Sequence, residues 1–148
     1  MFSQSSLEQQ FEFANQLFIQ EKYFDAITEF KRLQFFDIEN KFSFQSNLII
    51  GKCYKAGAKF DEAVNYFTRA EMNSENDHEY FFSKIFNART NILRRSTKQS
   101  EKILNELLND QRFISKEKEI KYWIGWNYIF ADDWEKAYKI FSENNLDT

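Results

Sequence analysis

Proline is absent from this chain, and glycine occurs only three times in 148 residues. Both residues interrupt helices, and the frequent tight turns of an all-β protein draw on them heavily, so their scarcity favours helices. A single cysteine, Cys53, excludes an intramolecular disulfide. It leaves the compartment open, exported or cytoplasmic, because exported bacterial proteins often lack disulfides too. With only one histidine, His78, beside it, the clustered Cys and His of a zinc site cannot be assembled, and there is no glycine-rich phosphate loop. Neither a metal nor a cofactor is expected. No stretch approaches the roughly 18 to 20 consecutive apolar residues that a membrane span requires, so direct membrane insertion by this segment is not expected. The opening residues, MFSQSSLEQQ, lack the basic-then-apolar plan of a signal peptide. A basic excess is missing as well. The 20 Lys and Arg and 23 Asp and Glu give a net charge of -3 and are spread along the chain, which argues against nucleic acid as a partner. The densest basic run, Arg94, Arg95, Lys98 and Lys102, follows the acidic Glu71, Glu75, Asp77 and Glu79 and reads first as solvated surface, with an acidic ligand as the alternative.

What is present is apolar bulk. Hydrophobic residues make up 43% of the chain and include 18 Phe, enough to bury about two-thirds of the surface the unfolded chain exposes, as one independently stable domain. This bulk recurs with a period of 37 residues. Ala26, Ala63, Ser100 and Ala137 form a column of small residues, and Phe30, Phe67, Leu104 and Phe141 follow four positions later. Ala14, Gly51, Ala88 and Gly125 form a second small column twelve residues before the first. Two helices approach closely only where neither side chain is bulky, so the two small columns are expected to face each other, with the large column filling the space between hairpins. Tyr23, Phe60, Thr97 and Trp134 are expected to open the second helix of each unit and cap its hydrophobic seam.

Apolar spacing predicts helices at about 6–20, 24–36, 42–56, 60–73, 78–94, 98–109, 116–130 and 134–144. Four antiparallel hairpins result, joined internally by short polar connectors such as Glu21-Lys22 and Ala58-Lys59. Ser5 and Glu8 fit a capping box that starts the first helix near residue 6. Asp61 and Glu62, and likewise Glu101 and Glu135, are expected near helix starts, where the dipole favours negative charge.

These columns resemble the tetratricopeptide repeat pattern. Ile50-Gly51-Lys52-Cys53-Tyr54 with Ala63 and Phe67 is the clearest copy; Ile124-Gly125-Trp126-Asn127-Tyr128 with Ala137 and Phe141 is nearly as good, and Phe13-Ala14 with Leu17, Ala26 and Phe30 is a third. The third unit keeps Ala88, Ser100 and Leu104 but carries Asn87 and Asn91 where apolar residues are usual, which predicts looser packing or a shifted register. The resemblance implies an all-α fold, a right-handed α-α superhelix, or solenoid, of four helix-turn-helix repeats. Its units fall at about 6–42, 43–79, 80–116 and 117–148 of a single domain. Each unit is three residues longer than usual for the family and lacks its closing proline. The chain also stops after the eighth helix with no polar capping helix, which leads to the expectation of a fragment of a longer protein or of something docked there. The Met before Phe-Ser-Gln-Ser-Ser is consistent with a start codon added to a mature exported domain.

The resemblance also implies a concave groove, lined by the first helices, that binds a protein or peptide partner. Carried over by column, its residues are Asn15 and Phe18; Lys52 and Lys55; Arg89 and Ile92; and Trp126 and Ile129. Phe11, Leu48, Ile85 and Tyr122 would form an apolar floor, although packing between hairpins accounts for them without a ligand. The cations suit acidic groups or a C-terminal carboxylate, with aromatic anchors carrying the energy. A chaperone-tail clamp is not expected, because Phe11 and Ile49 stand where it needs polar groups. Catalysis has no support: Cys53 lies mid-helix among packing residues and His78 in an acidic linker, neither beside a partner base. The reading is a non-enzymatic interaction scaffold, with a structural helical-repeat portion of an exported bacterial envelope protein as the alternative.

Overall fold

In a computed structural model, residues 3–146 are described, and among them every regular element is helical. The helices are α1 (Gln4–Ile19), α2 (Tyr23–Phe36), α3 (Ser43–Ala56), α4 (Phe60–Met72), α5 (Asp77–Leu93), α6 (Thr97–Leu108), α7 (Glu117–Phe130) and α8 (Trp134–Glu143). Each lies within two residues of its expected position. Tyr23, Phe60, Thr97 and Trp134 are the first residues of α2, α4, α6 and α8. Trp134 is 63% exposed, however, so it does not cap a seam.

The chain divides into two compact units, residues 1–79 and 80–148. In the first, α1 packs on α2, α2 on α3 and α3 on α4, with a lighter contact between α1 and α3. Its core joins Leu7, Ala14, Ala26, Phe30, Leu33, Ile50 and Cys53. Phe11 closes one side, stacked on Phe42 at 5.2 Å and edge-on to Phe30 at 5.7 Å. In the second unit α6 packs on α7 and α7 on α8. There α5, α6 and α7 share a core built around Phe81, Ile85, Leu104, Leu107, Phe113 and Ile120.

All twelve residues of the three columns are buried. In the two units whose first helix carries glycine, a ring takes the space beside it. A Cβ built on Gly51 would lie 2.6 and 2.7 Å from ring carbons of Phe67, and one on Gly125 would run into the ring of Phe141. In these two units the glycine of the first helix therefore receives the large residue of its own hairpin. Glycine is needed here because the phenyl ring occupies the space a side chain would take.

The third unit is not shifted in register. Ala88, Ser100 and Leu104 are fully buried, and the buried Asn87, Thr90 and Asn91 of α5 are hydrogen-bonded locally. Asn91 Nδ2 donates to the carbonyl and to Oδ1 of Asn87 at 3.0 and 2.7 Å, Arg94 Nε donates to Asn91 Oδ1 at 2.9 Å, and Thr90 Oγ1 donates to the Phe86 carbonyl at 2.7 Å. Buried amides so paired avoid the cost of lost hydration.

Each hairpin turn has the same architecture. Glu21, Ala58, Arg95 and Asp132, again 37 residues apart, adopt left-handed φ values of 60°, 57°, 65° and 60°. The next N–H reaches back five residues, Lys22 to Leu17, Lys59 to Tyr54, Ser96 to Asn91 and Asp133 to Tyr128, each at 2.9 Å. This 6→1 bond is the Schellman closure of a helix C-terminus. Glycine is the favoured residue in that conformation, yet at the second turn Gly57 sits one place early, at φ -85°, and the exposed Ala58 takes the left-handed position. Ala58→Gly should therefore raise the unfolding free energy by about 1 kcal/mol, read by urea denaturation. A decrease would show that the turn carries no such strain.

Three local expectations are corrected. The first helix is capped by Ser3, whose Oγ accepts from Ser6 N at 3.2 Å, and Ser5 lies inside the helix. Glu101 is beyond the first turn of α6, whereas Asp61, Glu62 and Glu135 are in the first turns of α4 and α8. His78 lies in the first turn of α5, not in a linker. A 3-10 segment, Gln111–Lys116, was not expected. It is started by Asp110, whose carboxylate accepts from Arg112 N at 3.0 Å and from its guanidinium at 2.8 Å. These bonds hold the Asp110 carboxyl below its ordinary pKa.

Candidate functional site

In the first unit the carried-over residues lie on two helices that touch: Asn15 and Phe18 on α1, Lys52 and Lys55 on α3. All four are half-buried. Phe18 sits against Tyr23 with ring centroids 6.0 Å apart, so part of it belongs to the core margin. Lys55 is in the last turn of α3, where the helix dipole favours a cation.

In the second unit Arg89 and Ile92 lie on α5, Trp126 and Ile129 on α7. Ile92 is only 4% exposed and cannot present a surface to a ligand; Ile85 of the expected floor is likewise buried. Trp126 is half-buried edge-on to Tyr122 and Phe141 at 6.3 and 6.5 Å, and Ile129 is half-buried. Arg89 is held differently. Its guanidinium lies 4.3 Å over the Trp123 ring and 5.4 Å from that of Phe86. Burial lowers its pKa, opposed by the charge of Glu119. Among the described residues no side chain or carbonyl accepts a hydrogen bond from it. Trp123 was not among the carried-over residues. It shares a repeat column with Phe86, one helical turn before Arg89, and that spacing was the available signal.

Two members of the basic run are occupied by the fold. Arg94 bonds Asn91, and Arg95 donates to the Phe130 carbonyl at 3.1 Å with its guanidinium 4.8 Å over the Phe130 ring.

A pocket of about 450 Å³ opens in the first unit between α2, the end of α3 and the start of α4. None of the carried-over residues lines it. Tyr23, Ile27 and Tyr54 form apolar walls, and Lys31, Lys59 and Glu62 bring charge. Lys31 Nζ donates to the Tyr54 hydroxyl at 3.1 Å and lies 5.6 and 5.7 Å from the Tyr54 and Tyr66 ring centroids. The hydrogen bond raises the pKa of the ammonium.

Cys53 also borders this pocket, but it is 2% exposed, and burial pushes its thiol from the ordinary 9.0 up to about 12. The thiolate is the reactive form, so iodoacetamide at pH 8 should label the native protein at least about a hundredfold more slowly than the urea-unfolded chain. Equal rates would overturn the buried placement. The raised value also sets a direction for stability: the contribution of the neutral thiol is complete below pH 9.0 and is lost as pH rises toward about 12.

Among the described residues no group of three or more His, Cys, Asp or Glu could hold a metal ion, and no helix is long and apolar enough to cross a membrane. No protein-family model matches the chain, and no curated protein matches it. Its fold has solved counterparts. The crystal structure of nearly identical TPR-like repeats assigned to a Podosopora anserina kinesin light chain superposes with a TM-score of 0.80 at 13% identity, over 97% of this chain and 75% of that one. A variant form of those repeats, with a glutamine replaced by methionine, gives a TM-score of 0.77 at 14% identity, over 97% and 74%. Identity this low speaks to the fold alone, and that fold is the TPR-like helical-repeat fold.

Proposed function

We propose that this protein is a non-catalytic interaction scaffold that takes a partner peptide or helix against the first-helix faces of its units. Asn15, Phe18, Lys52 and Lys55 would contribute in the first unit; Arg89, Trp126 and Ile129 would contribute in the second. The observation that carries the reading is Arg89. A half-buried guanidinium stacked on Trp123, with no hydrogen-bond acceptor among the described residues, is prepared for an acidic group or a C-terminal carboxylate from outside. Packing alone does not demand a charge at that position, and an aromatic neighbour supplies the desolvated anchor that interfaces favour.

The test is a pull-down from source cells with the wild-type chain beside a Lys52→Glu, Lys55→Glu, Arg89→Glu variant that matches it by circular dichroism. A partner retained by the wild type and lost by the variant is the expected result. Equal retention by both would move the contact away from these faces.

A further inference from the structure

The pocket between α2 and the α3–α4 hairpin has the make-up of a ligand site distinct from the first-helix faces. Its volume of about 450 Å³ falls within the usual range for such sites, and its walls are mostly apolar with a few charged groups at the edge. Lys31 and Lys59 are two of those groups. Among the described residues neither forms an ion pair with a carboxylate, and Glu62 is the sole acidic residue in the lining. The pocket thus offers apolar walls beside two ammonium groups and one carboxylate, a net positive charge.

The surface also extends beyond the pocket. Phe24, at its border, is 82% exposed. Thr28, Lys31 and Phe35 follow it four, seven and eleven residues on, along one face of α2, and Phe35 is 79% exposed. At 1.5 Å per residue this stripe runs about 16 Å, longer than a small molecule filling the pocket would cover.

We propose that this face is a second binding site, for an acidic peptide segment. One large apolar side chain of the segment enters the pocket, a neighbouring carboxylate pairs with Lys31 and Lys59, and the remainder lies along α2 over Phe24 and Phe35. The charge balance selects the sign of the partner, and the exposed rings select its apolar content.

The experiment is an NMR titration of the ¹⁵N-labelled full chain with two probes, acetyl-Glu-Glu-Trp-Glu-Leu-amide and its counterpart with Lys in place of each Glu. The expected result is saturable shifts at residues 23–35 and 54–62 with the acidic probe and none with the basic one. Lys59→Glu, at an exposed position, should weaken binding about tenfold, and Phe24→Ser should do the same without altering the circular dichroism spectrum. The Lys52→Glu, Lys55→Glu, Arg89→Glu variant should bind the acidic probe as the wild type does, which separates this site from the first-helix faces. Equal response to both probes, shifts outside the pocket, full affinity in Lys59→Glu, or loss of binding in the triple variant would each overturn the proposal.

Discussion

Phe67→Ala should lower the unfolding free energy by about 3–5 kcal/mol, the range expected when a fully buried phenyl ring is removed and its surroundings only partly close. Phe67 has no exposed surface and fills the space over Gly51, where the backbone of α3 is bare. The backbone cannot move inward without disturbing the contact of α3 with both α2 and α4, so most of the cavity should persist. Urea unfolding monitored by far-UV circular dichroism checks the prediction. A loss below about 1 kcal/mol would show that the ring is not core.

Gly51→Ala should give the second large effect, and its sign should depend on Phe67. In the wild type the new methyl group meets ring carbons at 2.6 and 2.7 Å, closer than side-chain carbons approach, and a buried ring has little room to retreat. Overpacking of this kind costs about 1–3 kcal/mol. In a Phe67→Ala background the obstacle is gone. The same substitution should then stabilise by about 1 kcal/mol, since alanine is the better helix former and partly fills the cavity. A double-mutant cycle measures this reversal directly; additive effects would mean that Gly51 and Phe67 do not meet in solution. The equivalent pair, Gly125 and Phe141, should behave in the same way.

This pairing marks the limit of what the repeat columns could convey. Period and residue size identify which positions are buried, because burial selects for apolar or small side chains wherever the helix turns inward. They do not say which column meets which, because that depends on the offset and tilt of two helices. Small facing small was the economical reading, and it gave no notice that the rings of Phe67 and Phe141 fill the space over Gly51 and Gly125. Ile92 was misplaced for a related reason: α5 buries residues around much of its circumference, from Ser83 to Ile92, so the spacing that exposes Arg89 does not expose Ile92. The Schellman turns stayed hidden although they obey the 37-residue period, because the left-handed position holds Glu, Ala, Arg and Asp and no glycine announces it. Lys31, Tyr54 and Tyr66 come from three different helices, so only folding brings them together.

By itself, the sequence determined the helical class, the positions of all eight helices, the four-hairpin plan and the twelve column positions that are buried, since these follow from local propensity and from apolar periodicity along one chain. Only the tertiary structure decided that Gly51 and Gly125 receive phenyl rings, that Arg89 lies on Trp123, and that a pocket with two lysines and one glutamate in its lining opens beside α2. Those are relations between helices, set by the packing of side chains distant in sequence, and no spacing along the chain encodes them.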